Sequence, residues 1–163
     1  MTRKKQSQSY SSKIAYLFLT FAVFVFANIY LSDFIIENYD SGLLFENPVL
    51  KLTYIKNSGA AFSILSQYPF AIIAISVTIL VALFAFVIKH ANTMSFYGIF
   101  WLDMIMSGIF CNLLQRIQFG YVVDYFDLKF INFPVFNLSD IAINIGILVV
   151  IISLLKKAQL SQL

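Results

Sequence analysis

Four runs of this chain are each long enough and apolar enough to cross a lipid bilayer, and that requirement constrains the fold more than any motif does. Ile14 to Leu31 is a run of 18 uncharged residues, and runs of similar character cover 69–88, 95–114 and 138–155. At about 1.5 Å of rise per residue, about 18 to 20 helical residues traverse most of a hydrocarbon layer roughly 30 Å thick. Lipid offers no partners to backbone amides, so an isolated span of this kind must be a helix. Only 12% of the 163 residues are charged, where a soluble domain carries about 25%. The expectation is an all-α membrane protein of four transmembrane helices in one domain, 1–163. Residues 1–12 are polar and are expected to be disordered. A basic start followed by an apolar run also resembles a secretory signal peptide, but no small-x-small site closes the run, so it is taken as a retained first span.

The placement of charge gives the orientation. Arg3, Lys4, Lys5 and Lys13 precede the first span, Lys89 and His90 follow the second, and Lys156 and Lys157 follow the fourth. Asp33, Glu37, Asp40 and Glu46 fall between the first and second spans, outnumbering Lys51 and Lys56. Basic residues gather on the cytoplasmic side, so both termini are expected in the cytoplasm. No basic stripe exists outside these flanks, and no nucleic-acid partner is expected. The single cysteine, Cys111, lies within the third span and is expected to be a small packing residue.

The two outer connections differ from the spans in character. In the first, Gly42 and Pro48 mark turns, and Leu50-Lys51-Leu52-Thr53-Tyr54-Ile55 alternates with the period of a half-buried strand. In the second, between 115 and 137, Tyr121-Val122-Val123 and Phe130-Ile131 are expected as short strands. Pro69 occupies the tolerated first turn of the second span. Ser107, Gly108 and Cys111 offer small side chains where helices approach closely in lipid.

Polar residues other than the flanking charges concentrate at the outer ends of the third and fourth spans. Asn112 and Arg116 are four apart and share a face if the third helix continues that far. Asp124 follows in the loop, and Asp140 opens the fourth span behind Asn137 and Ser139. Asp140 has two readings: a first-turn acid that caps free amides, or one member of a catalytic pair. Asp124 by itself reads equally as a loop acid, and Asp103 as an interfacial or a buried acid. Two carboxylates brought together in a dry site tend to share one proton; one can then act as base on a water and the other as acid toward a carbonyl. Other groupings fail. His90 is the only histidine and there is no HExxH pattern, so a zinc peptidase is not expected. Ser63, Ser107 and Ser139 have no histidine on their side, and a Ser–Lys dyad with Lys56 shows no particular spacing. A small transporter using Asp103 and Asp140 would be expected to show an inverted repeat, and none is present.

Three segments carry a resemblance: Lys56-Asn57-Ser58-Gly59-Ala60-Ala61-Phe62-Ser63, Asn112 to Arg116 running through Gly120 to Tyr125, and Phe133 to Asp140 with Ile143 and Gly146 beyond. Their order, spacing and placement against four spans resemble the lipoprotein signal peptidases, signal peptidase II. The resemblance implies an aspartic endopeptidase of the bacterial cytoplasmic (inner) membrane that needs no metal or other cofactor. Its substrate class would be the diacylglyceryl-modified prolipoprotein, cut just before the lipidated cysteine at the outer leaflet, with membrane lipid as the other partner. A monomer is expected. By position, Asp124 and Asp140 match the family's catalytic dyad, and Asn57, Asn112, Arg116 and Asn137 match supporting polar positions. The first outer loop resembles the family's small extracytoplasmic β-cradle. Asp140, at the positive end of its helix, is expected to ionise first, leaving the shared proton on Asp124. Gln115 stands where the family usually has an acid, and the resemblance aligns Asn28 and Ser32 with its Asp and Lys on the first span. These losses also admit an alternative, a non-catalytic homologue that binds lipoprotein precursors or lipid.

Overall fold

The computed structural model describes residues 2–39, 45–59 and 67–160, the side chains of 2–8 and 157–160 excepted. Gly42 and the segment Ala60 to Ser63 lie outside the described residues. The elements run α1 (Thr2–Asn38), β1 (Leu50–Asn57), α2 (Pro69–His90), α3 (Phe96–Phe119), β2 (Val122–Leu128) and α4 (Leu138–Leu160). All four helices are long and apolar enough to cross a membrane.

Residues 2–12 are helical as part of α1, not disordered as expected. Extending an existing helix costs little once its nucleus is formed, and Arg, Lys and Gln in this stretch are good helix formers. At 37 residues, α1 is about 55 Å long and therefore overshoots any hydrocarbon layer. Its last turns project beside the two strands, where Ile35 is fully buried with Val123 and Tyr125. At the opposite end Lys13 donates from Nζ to the Asn92 carbonyl at 3.0 Å, tying α1 to the α2–α3 turn.

Helix α3 packs against α1, α2 and α4 in turn, and its Ile99, Leu102, Ile105, Met106 and Leu113 build the main apolar core with Leu17, Leu80 and Val87. Two glycines set the α3–α4 distance. A Cβ on Gly108 would meet the Ser139 carbonyl oxygen at 2.6 Å and Ile143 at 2.8 Å, and one on Gly146 would meet Ile105 at 2.6 Å. Cys111 is buried and free, as a packing residue should be.

Ser95 caps α3 by accepting from the Gly98 amide at 3.1 Å. Gly120 ends the helix at φ +81°, its amide returning to the Arg116 carbonyl. That left-handed cap is the conformation glycine adopts without a Cβ penalty, and it turns the chain directly into β2.

The strands β1 and β2 pair antiparallel, with Leu50 opposite Leu128 and Asn57 opposite Val122; the register shifts between Leu52 and Ile55. The small sheet thus joins the two outer connections. Asn47 initiates β1 by accepting from the amides of Val49 and Leu50, an Asx turn completed by Pro48. Phe130 and Ile131, expected as a strand, lie in a turn. The other edge of β2 is taken at Phe126 by Phe136, the two exchanging backbone hydrogen bonds in both directions.

Candidate active site

The end of the molecule where α1 and α3 finish and α4 begins carries the polar cluster. Because α3 continues to Phe119, Asn112 and Arg116 share a face as expected. Asp124 is placed by β2, Asn57 by the last residue of β1, and Asn137 and Asp140 by the start of α4.

Asn137 joins the two carboxylates. Its Nδ2 donates to Asp124 Oδ1 at 2.9 Å, and its backbone amide donates to Asp140 Oδ2 at 3.1 Å. Its Oδ1 in turn accepts from the Asp140 amide at 2.9 Å. The Asn137–Asp140 exchange is a reciprocal capping box, with Asn137 at the N-cap and the acid three residues on. Asp140 therefore caps its helix, and it also stands in the cluster: its other oxygen, Oδ1, accepts from Asn112 Nδ2 at 3.0 Å. Asn112 Oδ1 accepts from Asn137 Nδ2 at 3.2 Å, which closes the circuit.

Asp124 is held from the opposite side by the sheet. Asn57 Nδ2 donates to its Oδ2 at 2.9 Å, and Asn57 Oδ1 accepts from the Gly59 amide. Only 3% of Asp124 is exposed. Burial, opposed by the Asn57 hydrogen bond and assisted by the charge of Asp140, raises it from the usual carboxylate range to about 6. Arg116 reaches across from α3, donating to the Gly59 carbonyl at 2.6 Å and to the Asn112 carbonyl at 3.2 Å. It fastens the end of β1 to α3 and contributes positive charge beside both acids. All six residues singled out from the sequence thus converge.

Behind them lies a layer that sequence reasoning treated only as departures from a family pattern. Gln115 Oε1 accepts from the Val123 amide at 2.8 Å. Asn28 Oδ1 accepts from the Ser139 hydroxyl at 2.8 Å, its own amide nitrogen being engaged by the Phe24 carbonyl. The buried Ser32 lies beside the Tyr125 side chain, whose hydroxyl oxygen accepts from the Leu138 amide at 3.0 Å. Tyr125 is fully buried, which raises its phenol to about 12 and keeps it neutral. Tyr125 and Ser139 fall within the segments that carry the family resemblance, but nothing in the sequence singled them out as partners of this layer.

Other candidates lie elsewhere. Asp103 is fully buried and accepts from the Thr20 hydroxyl of α1, away from the cluster. The Lys56 ammonium sits over the rings of Tyr121 and Tyr54 at 5.0 and 5.9 Å. His90 bonds the Phe86 carbonyl of its own helix. Among the described residues no three His, Cys, Asp or Glu side chains gather where they could hold a metal ion.

Comparison with known proteins bears on the family and the fold. Residues 19–156 match the family model described as Signal peptidase (SPase) II. The lipoprotein signal peptidase of Lactococcus lactis subsp. lactis is 43% identical over 108 residues, covering 66% of this chain and 70% of that protein. The lipoprotein signal peptidase of Streptococcus pneumoniae is 35% identical over the same length and the same shares. A solved bacterial membrane enzyme superposes with a TM-score of 0.80 at 30% identity, covering 89% of this chain and 90% of the other. A second superposes with a TM-score of 0.77 at 30% identity, over 88% and 94%.

Proposed function

Since the chain belongs to the signal peptidase II family, as a multi-pass membrane enzyme of the lipoprotein signal peptidase type, we propose that Asp124 and Asp140 are its catalytic dyad. The substrate would be a diacylglyceryl-modified prolipoprotein, cut before the lipidated cysteine. The observation that carries the assignment is Asn137, which holds one oxygen of each carboxylate and so fixes the two acids in one polar pocket.

Asp140 sits in the first turn of α4, where the helix dipole favours a carboxylate, and serves as the base. It takes a proton from the attacking water while the water oxygen bonds to the scissile carbonyl carbon. Asp124, held up to about 6 by burial, serves as the acid and protonates the carbonyl oxygen. Collapse of the tetrahedral diol breaks the C–N bond as a proton passes to the departing amine. The two acids interact, so their titrations belong to the pair. Asn57, Asn112 and Asn137 occupy carboxylate lone pairs without adding charge. Arg116 offsets the negative charge and anchors the β1 end over the pocket.

The site faces the outer leaflet of the cytoplasmic (inner) membrane, with both termini in the cytoplasm and the protein acting as a single-domain monomer. The signal helix would lie between spans while the acyl chains stay in lipid. The non-catalytic alternative is not favoured: the relatives carry the enzyme's name and both acids are present.

The test is cleavage of a lipidated precursor by the purified protein in lipid. Asp124→Asn and Asp140→Asn should each lower kcat at least about 100-fold, and a chelator should leave the wild-type rate unchanged. Wild-type activity in the Asp124→Asn protein would overturn the dyad.

A further inference from the structure

Three positions that carry no charge here, Asn28, Ser32 and Gln115, each lie against a residue adjacent to one of the aspartates. Gln115 of α3 takes the amide of Val123, before Asp124. Ser32 of α1, buried, lies beside Tyr125, after Asp124. Asn28 of α1 takes Ser139, before Asp140. Asn28, Ser32 and Ser139 are all buried. Asn28, Ser32 and Gln115 line a cavity of about 190 Å³ between α1 and α3, with Cys111, Asp33 and Gln118 also on its wall.

We propose that Asn28, Ser32 and Gln115 are positioning residues, a charge-neutral brace that fixes both aspartates from behind while adding no charge to them. This rests on the dyad assignment above. The physical reason for neutrality is local. Asp124 already faces Asp140 from α4 and Arg116 from α3, while from β1 it receives the uncharged Asn57 and Lys56 is turned toward the Tyr121 ring. On the α1 side the charged group at the cavity is the exposed Asp33. A third carboxylate one residue from Asp124 would oppose its ionisation further. An amide oxygen accepts the Val123 bond equally well without that penalty. Position matters because displacing a reacting group by about 1 Å can cost about 100-fold in rate.

Gln115 separates the two functions of the brace, because Glu has its size and keeps an acceptor, while Leu removes the acceptor. In the precursor assay, Gln115→Leu should lower kcat about 10- to 100-fold with KM changed less than about 3-fold. Gln115→Glu should retain kcat within about 3-fold at its optimum. Its pH–rate profile should move upward on the limb where the dyad loses its last proton, by about half a unit or more. Asn28→Leu should reproduce the kcat loss through Ser139. If Gln115→Leu melts earlier yet keeps wild-type kcat and profile in its folded fraction, the brace is only scaffold and the proposal falls. If Gln115→Leu does not fold, Gln115→Glu decides: an unshifted profile overturns the proposal and a shifted one sustains it. Wild-type and Asp124→Asn rates measured alongside show separately whether the dyad assignment holds.

Discussion

Asp140 caps its helix and also stands in the polar cluster, so the capping reading does not exclude the proposed catalytic one. One oxygen completes the capping box with the Asn137 amide, and the other accepts from Asn112. A cap sets a carboxylate's rotamer, so the structural duty also aims the proposed catalytic group. Asn112, Arg116, Asn137 and the two acids stood out as polar residues at the ends of the spans, and Asn57 only through the family resemblance; the sharing of Asn137 between both acids could not be read, because it depends on β2 and α4 meeting in space. Gln115, Asn28 and Ser32 registered only as missing charges for the same reason. Asp124 supports a prediction at this scale. Its ordinary value near 4 is raised to about 6 in the folded protein, so between those pH values the folded state binds more protons than the unfolded chain. Stability from this group is therefore fully present below about pH 4 and is lost as pH rises through about 6. Thermal unfolding in detergent should show the melting temperature falling across that window, and Asp124→Asn should flatten the fall. An identical slope in both proteins would show that Asp124 does not carry the linkage.

Helix existence was legible because lipid enforces it: an apolar run of bilayer length has no other way to satisfy its amides. Strand β1 was legible from alternation over Leu50 to Ile55, though the shift between Leu52 and Ile55 was not. The 130–131 strand failed because apolar character next to a sheet does not supply a partner; Phe136 had already taken the available edge of β2. The N-terminal stretch failed because polarity was equated with disorder, whereas α1 simply continues. The α3–α4 contact gives a prediction that distinguishes two glycines. Alanine at 108 would press on Ser139 and Ile143, directly under Asp140, whereas alanine at 146 would press on Ile105 and the Trp101 carbonyl further along. Each should cost about 1–3 kcal/mol of stability as overpacking. Gly108→Ala should in addition lower kcat by about 10-fold or more through displacement of Asp140, while Gly146→Ala should leave kcat of the folded protein within about 2-fold. Equal kcat losses in both would mean that helix separation, not the placement of Asp140, limits the rate.

At the scale of the whole molecule, the chain behaves as a three-helix contact around α3 with an asymmetric charge distribution along its length. Lys13, Lys89 and His90 meet at the end where Lys13 binds the Asn92 carbonyl, and the sheet with the two aspartates sits at the other, beside Glu46 and Asp33. The charge bias was readable directly from sequence, since it is a property of segments and not of their packing. The convergence of β1 and β2 into one sheet was not, because it joins two connections separated by α2 and α3. The proposed orientation rests on the positive-inside rule and can be tested on this chain with little background, because its one cysteine, Cys111, is 5% exposed. Cysteine placed at Phe130, in the exposed turn after β2, should react with a membrane-impermeant maleimide added to intact spheroplasts. Cysteine placed at Thr93, exposed in the α2–α3 turn, should react only after the membrane is opened. The reverse pattern would put Asp124 and Asp140 on the cytoplasmic face, where exported precursors no longer present their cleavage site, and would remove the topological basis for the proposed reaction.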